Sequence, residues 1–174
     1  MTDMLQQALA LLQDVTPLDT DCGKVCDGRC CRPSADSVGM LLLPGEENLP
    51  ANEGFTITPA GGGNLLTCDG NCRRENRPFA CRVFPLFPYV SEDGVVRAVY
   101  DPRSFRLCPL TRNCAHVRLR RDFVRAVRRA GTLLMQDPAC AAFLRAQSQE
   151  IDEMTRLIPF LKNERPPIAR RKLR

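Results

Sequence analysis

The chain has no tryptophan, two tyrosines, one histidine and three lysines among its 25 basic residues. Each scarcity excludes something. With His116 as the only imidazole, a catalytic centre built on two histidines is ruled out, and any second general base has to be a carboxylate. No apolar run approaches the ~20 residues that a membrane-spanning helix requires. The opening Met1-Thr2-Asp3-Met4 lacks the positive segment of a secretory signal, and Gln6 and Gln7 interrupt the apolar residues that follow. A cytoplasmic protein with no membrane partner is the expectation. No G-x-S-x-G, P-loop or G-x-G-x-x-G motif occurs, and Gly61-Gly62-Gly63 lacks the Lys-Ser/Thr that a phosphate loop needs.

Cysteine, by contrast, is abundant. The chain holds ten in 174 residues, nine of them between Cys22 and Cys114. At this length a hydrophobic core can form without covalent staples. In a reducing compartment, grouped cysteines are metal ligands or redox groups more often than disulfides. Charge is also uneven. Residues 1–110 carry 10 Lys+Arg against 14 Asp+Glu, and residues 111–174 carry 15 against 6. The basic second part reads either as a solvated helix face or as a surface for an anionic partner.

Periodicity predicts an α+β domain over residues 1–163. A cysteine-rich core of irregular chain and short strands (20–115) lies between an N-terminal helix (2–15) and a C-terminal helical pair (116–161). Leu5, Ala8, Leu9, Leu12 and Val15 form one helical stripe. Residues 16–38 have no periodicity and read as loop. Short strands are expected at Met40–Leu43, Phe55–Thr58 and Asn64–Thr67, and a hairpin turns at Ser91-Glu92-Asp93-Gly94. Phe123, Val127, Ala130 and Leu134 give the inward face of one C-terminal helix. Asp137-Pro138 separates it from a second, at Ala139–Leu161, with Phe143, Ala146, Met154 and Ile158 inward. Residues 164–174, with Pro166-Pro167, read as a basic disordered tail.

The cysteines fall into three groups: Cys22-x3-Cys26-x3-Cys30-Cys31, then Cys68-x3-Cys72-x8-Cys81, then Cys108-x5-Cys114. Short spacings let two thiolates from one turn reach one metal ion. Cys22, Cys26, Cys30, Cys31, Cys68, Cys72, Cys81 and Cys108 are the candidate ligands, enough for two four-thiolate sites. Adjacent Cys30 and Cys31 point apart more naturally than they chelate one ion. Cys140, among alanines, reads as core. Cys114 stands evenly between ligand and core, and a solvent-facing role for His116 outweighs a ligand role. Zinc, iron and an iron–sulfur cluster all suit such thiolates. Four thiolates leave a net negative centre, which Arg77 and Arg82, flanking Cys81, can offset by hydrogen bonding near sulfur; for Arg77 a structural salt bridge to a loop carboxylate such as Asp69 or Glu75 stands evenly beside that. Pro78 opens a short helix. Phe79, Phe84 and Phe87 can wall the site from water, and an ordinary core role is equally consistent and does not exclude it.

The run Cys72-Arg73-Arg74-Glu75-Asn76-Arg77-Pro78-Phe79-Ala80-Cys81-Arg82-Val83-Phe84-Pro85, together with the Cys30-Cys31 pair, resembles the signature of the YkgJ-type family. Its members are described as zinc- or iron-chelating cysteine-cluster proteins. The resemblance covers roughly residues 20–110, with Arg74 where members commonly carry an aromatic, and implies metal chelation with no defined reaction. Two further readings stand beside a metal-binding protein: an iron-dependent redox enzyme or electron carrier, and a zinc-stabilised nucleic-acid adaptor using the basic C-terminal part. No protein partner is legible.

Overall fold

The structure is a computed structural model that describes residues 3–30, 39–48, 54–70, 72–112 and 118–157. It is α+β. In chain order the elements are α1 (Asp3–Leu11), α2 (Cys22–Cys26), β1 (Met40–Leu41), β2 (Phe55–Ala60), β3 (Gly63–Cys68), α3 (Phe79–Val83), β4 (Leu86–Val90), β5 (Val96–Tyr100), α4 (Ser104–Leu107), α5 (Pro109–Arg112), α6 (Arg121–Leu134) and α7 (Pro138–Leu157). Short 3₁₀ turns occupy Glu46–Asn48 and Arg74–Asn76.

Two antiparallel sheets form, one ordered β1-β3-β2 and the other the β4–β5 hairpin. β2 pairs with β3 from Phe55↔Cys68 to Ala60↔Gly63, leaving Gly61-Gly62 as a two-residue turn. Gly62 takes a φ of 94°, which glycine adopts without strain. β2 is an edge strand, exposed beyond Phe55, and Pro59 within it cannot donate to a further strand. In the second hairpin the Gly94 amide donates to the Ser91 carbonyl at 2.8 Å, closing the turn that the sequence predicts.

The main core lies where α1 and α6 pack together and α6 and α7 lie over β4 and β5. Leu5, Leu12, Phe123, Val127, Leu134 and Leu144 are fully buried there. Phe79 and Phe87 are part of this core and Phe84 packs against it, so these aromatics are packing residues. α6 comes very close to the hairpin at Gly131. A Cβ on Gly131 would lie 2.4 Å from Pro88 Cβ and 2.9 Å from Val96 Cγ1. Gly131→Ala is therefore expected to destabilise the fold by about 1–3 kcal/mol through overpacking. That outweighs the roughly 1 kcal/mol that alanine ordinarily gains over glycine inside a helix. A lower urea midpoint with an unchanged slope is the expected readout; a higher midpoint would show that the contact relaxes freely.

Several expectations need correction. Residues 16–38 are not all loop, because α2 forms at Cys22–Cys26; five residues are too short to show a helical period. α1 ends at Leu11, short of residue 15, and α6 starts at Arg121, not 116. Ahead of α6, Arg120 is extended, and its amide donates to the Pro17 carbonyl at 3.0 Å. The inward face of α7 is rotated from the expected one. Cys140, Ala141, Leu144, Gln147, Ser148 and Ile151 are buried, Ala146 is exposed, and Phe143 and Met154 are half-buried. Two polar residues on the inward face misled the apolar count. Ser148 Oγ accepts from the Val90 amide at 2.9 Å, and Gln147 Oε1 accepts from Arg103 at 2.8 Å. Asp137 caps α7 by accepting from the Ala139 and Cys140 amides at 3.0 Å each. Ile158 and residues 164–174 lie outside the described residues. No helix among the described residues is long and apolar enough to cross a membrane.

Candidate metal centre

α2 owes its position to its ends. Asp21 is its N-cap, with Oδ1 accepting from the Gly23 amide at 3.1 Å. At the other end Asp27 turns left-handed, and the Gly28 amide closes back on the Gly23 carbonyl at 2.9 Å. Cys22 and Cys26, four residues apart, therefore share one face of this single turn. The capping carboxylate also reaches across to the Arg77-Pro78 segment, with Asp21 Oδ1 3.7 Å from Arg77 Nη1. That ion pair joins the first cysteine group to the second. The sequence offers Asp69 or Glu75 as ion-pair partners of Arg77; the structure pairs it with Asp21.

Cys108 ends α4, its amide donating to the Ser104 carbonyl at 2.7 Å, and it is 7% exposed. Its side chain comes within electrostatic reach of Cys22. Burial pushes the Cys22 thiol up to about 11, and the negative potentials of Asp21, Cys26 and Cys108 add to that effect while Arg77 opposes it. Cys26 and Cys108 are thus each within electrostatic reach of Cys22, as are Asp21 and Arg77. Without a cation the Cys22 thiol holds its proton, unlike the low-pKa thiolate of a nucleophilic cysteine.

Cys81 is the third residue of α3, half-buried, and its potential is felt by the adjacent Arg82. Pro78 stands just before this helix as its N-cap. Cys68 closes β3 opposite Phe55, with Cys72 beyond the turn at Gly70. Cys30, Cys68 and Cys72 are half-buried, and the eight described cysteines form no disulfide with one another. Among the described residues no group of three or more Cys, His, Asp or Glu side chains is arranged to hold a metal ion. The donor chemistry fits a thiophilic metal; a closed ligand shell is not formed by the described residues alone. Cys31, Cys114 and His116 lie outside them. Cys140 is fully buried, and its thiol is pushed up to about 12, by burial first.

Arg82 and Arg74 are committed to the scaffold. Arg82, 5% exposed, donates to the Arg77, Leu9 and Glu75 carbonyls and to Gln13 Oε1. Arg74 donates to the carbonyls of Leu12, Gln13 and Val15, just past the end of α1. These two guanidinium groups bind carbonyls at and just beyond the end of α1. Glu46, fully buried, accepts from the Phe79 amide at 2.6 Å through Oε1 and from the Leu43 amide at 2.9 Å through Oε2. It fixes the start of α3. Nothing in the Pro44-Gly45-Glu46-Glu47 sequence distinguished it from a surface carboxylate.

Compared with family models, characterised proteins and solved structures, the chain matches none.

Proposed function

We propose that this chain is a cysteine-ligated metal-binding protein, holding zinc or iron in the manner its YkgJ-like signature implies. The observation that supports the reading is that Cys26, on the same helix, and Cys108, far along the chain, both lie within electrostatic reach of Cys22, beside the Asp21–Arg77 ion pair. Cys30, Cys31, Cys68, Cys72 and Cys81 are the further candidate ligands. Arg77 is the cation best placed to offset thiolate charge, whereas the donors of Arg82 are already taken by protein oxygens. Bound zinc would cross-link these segments, and an iron–sulfur cluster would carry an electron. A reducing cytoplasm is the compartment in which such thiols persist.

The test is elemental analysis of anaerobically purified protein. More than one equivalent of zinc or iron is expected, with Cys22→Ser and Cys108→Ser each losing metal and Cys140→Ser retaining it. Visible absorption that bleaches on reduction selects a cluster over zinc. Folded protein free of metal would overturn the reading.

The nucleic-acid alternative draws on one feature. Arg121, Arg125, Arg128 and Arg129 lie on the exposed face of α6, opposite Phe123, Val127 and Ala130. The large exposed apolar side chains among the described residues are Val25, Ile57, Val95 and Leu157. None is an aromatic on which a base could stack, so the stripe reads first as a solvated helix face.

A further inference from the structure

Between α3, α7 and the first sheet lies a cavity of about 410 Å³ that the metal reading does not use. Its walls are apolar, with Leu65, Phe79, Val83, Leu86, Phe143 and Leu144 among them. This volume is in the range of small-molecule sites, which run from roughly 300 to 1,000 Å³. The polar groups are confined to Asp101, Arg103, Gln147 and Glu150.

Those four residues set the chemistry of the occupant. Arg103 is already held: Nε lies 2.9 and 3.1 Å from the two Asp101 oxygens, Nη2 is 2.8 Å from Oδ2, and Nη1 is 2.8 Å from Gln147 Oε1. That bidentate pairing neutralises Arg103 against Asp101. Glu150 shares the same arginine, so two carboxylates face one guanidinium and the polar end of the cavity carries a net negative charge. The Glu150 carboxylate comes only within 3.9 Å of Arg103 Nη1 and its side chain is 48% exposed, as befits a group at the rim. One turn back along α7, Gln147 is 6% exposed and uses its Oε1, while its Nε2 donor makes no hydrogen bond among the described residues.

We propose that this cavity binds a small amphipathic cation, with its apolar body inside and its ammonium group beside Glu150. An anion of the same shape meets net negative charge at the rim and is disfavoured. The proposal is independent of metal binding, since none of the candidate ligands lines the cavity.

Three probes of matched shape test it on the full chain: 1-naphthylmethylamine, 1-naphthalenemethanol and 1-naphthoate, followed by their own fluorescence at neutral pH. The amine is expected to bind at least about tenfold more tightly than the carboxylate, with the neutral alcohol between them. Glu150→Gln, at an exposed position, should bring the amine down to the alcohol's affinity. Leu65→Trp, filling the cavity, should abolish binding of all three. Naphthoate binding as tightly as the amine, an amine preference untouched by Glu150→Gln, or no binding of any probe would each overturn the proposal.

Discussion

Arg82→Ala should lower the unfolding free energy by about 3–5 kcal/mol, the usual effect of removing one partner from a buried, charged hydrogen-bond network. The side chain donates to Arg77 O at 2.7 Å, Leu9 O at 3.0 Å, Gln13 Oε1 at 2.6 Å and Glu75 O at 2.8 Å. Those acceptors belong to the end of α1, to the 3₁₀ turn before α3 and to the residue preceding Pro78. Truncation removes four donated hydrogen bonds at once, one of them buried, although the Leu9 carbonyl keeps the Leu12 amide at 3.1 Å. The guanidinium is held at some cost, since burial and then the nearby Arg74 draw its pKa below the ordinary arginine value. Lysine would not rescue the variant, because a single ammonium cannot span four acceptors arranged around a planar fork. Denaturant midpoints of wild type, Arg82→Ala and Arg82→Lys, measured in protein stripped with a chelator, provide the check. Midpoints unchanged in stripped protein would mean that Arg82 acts on the metal centre and not on the scaffold.

This role for Arg82 shows where sequence reading succeeds and where it stops. The α1 stripe of Leu5, Ala8, Leu9 and Leu12 was legible because an amphipathic helix writes its buried face into the spacing of its apolar residues. The Asp137-Pro138 helix start and the Ser91–Gly94 turn were legible because caps and turns use local chemistry. The sequence sorts the cysteines into groups by spacing; the structure adds that Cys108 lies within electrostatic reach of Cys22. What spacing cannot carry is a long-range hydrogen bond. In one dimension Glu46 looks like a surface charge and Arg82 like a partner of the thiolate site, yet each is buried against backbone groups far along the chain. The rotated face of α7 has the same origin. Gln147 and Ser148 are inward because Arg103 and the Val90 amide need acceptors there. Arg74, out of place against the family resemblance, is explained in the same way by the carbonyls of Leu12, Gln13 and Val15.

Glu46 gives the fold a pH dependence opposite to that of an ordinary paired carboxylate. It is fully buried, and burial pushes its carboxyl up to about 7 from the reference 4.5, against the opposing pull of the Phe79 and Leu43 amides and of Arg82. Between those two values the folded state binds more protons than the unfolded chain. Stability therefore falls as pH rises. The contribution is complete below about 4.5 and lost as pH climbs through about 7, a total of about 3 kcal/mol. Asp93 and Asp122 behave in the reverse sense: hydrogen bonds, from Ser91 and Arg120 respectively, hold their carboxyls down, so their effect is lost only in stronger acid. A window from pH 5 to 8 isolates Glu46 from them. Urea midpoints should drop steadily across that window in wild type and stay nearly level in Glu46→Gln. A flat wild-type profile would show that the two amides hold Glu46 ionised despite its burial, and would remove this residue as the source of any pH dependence in folding.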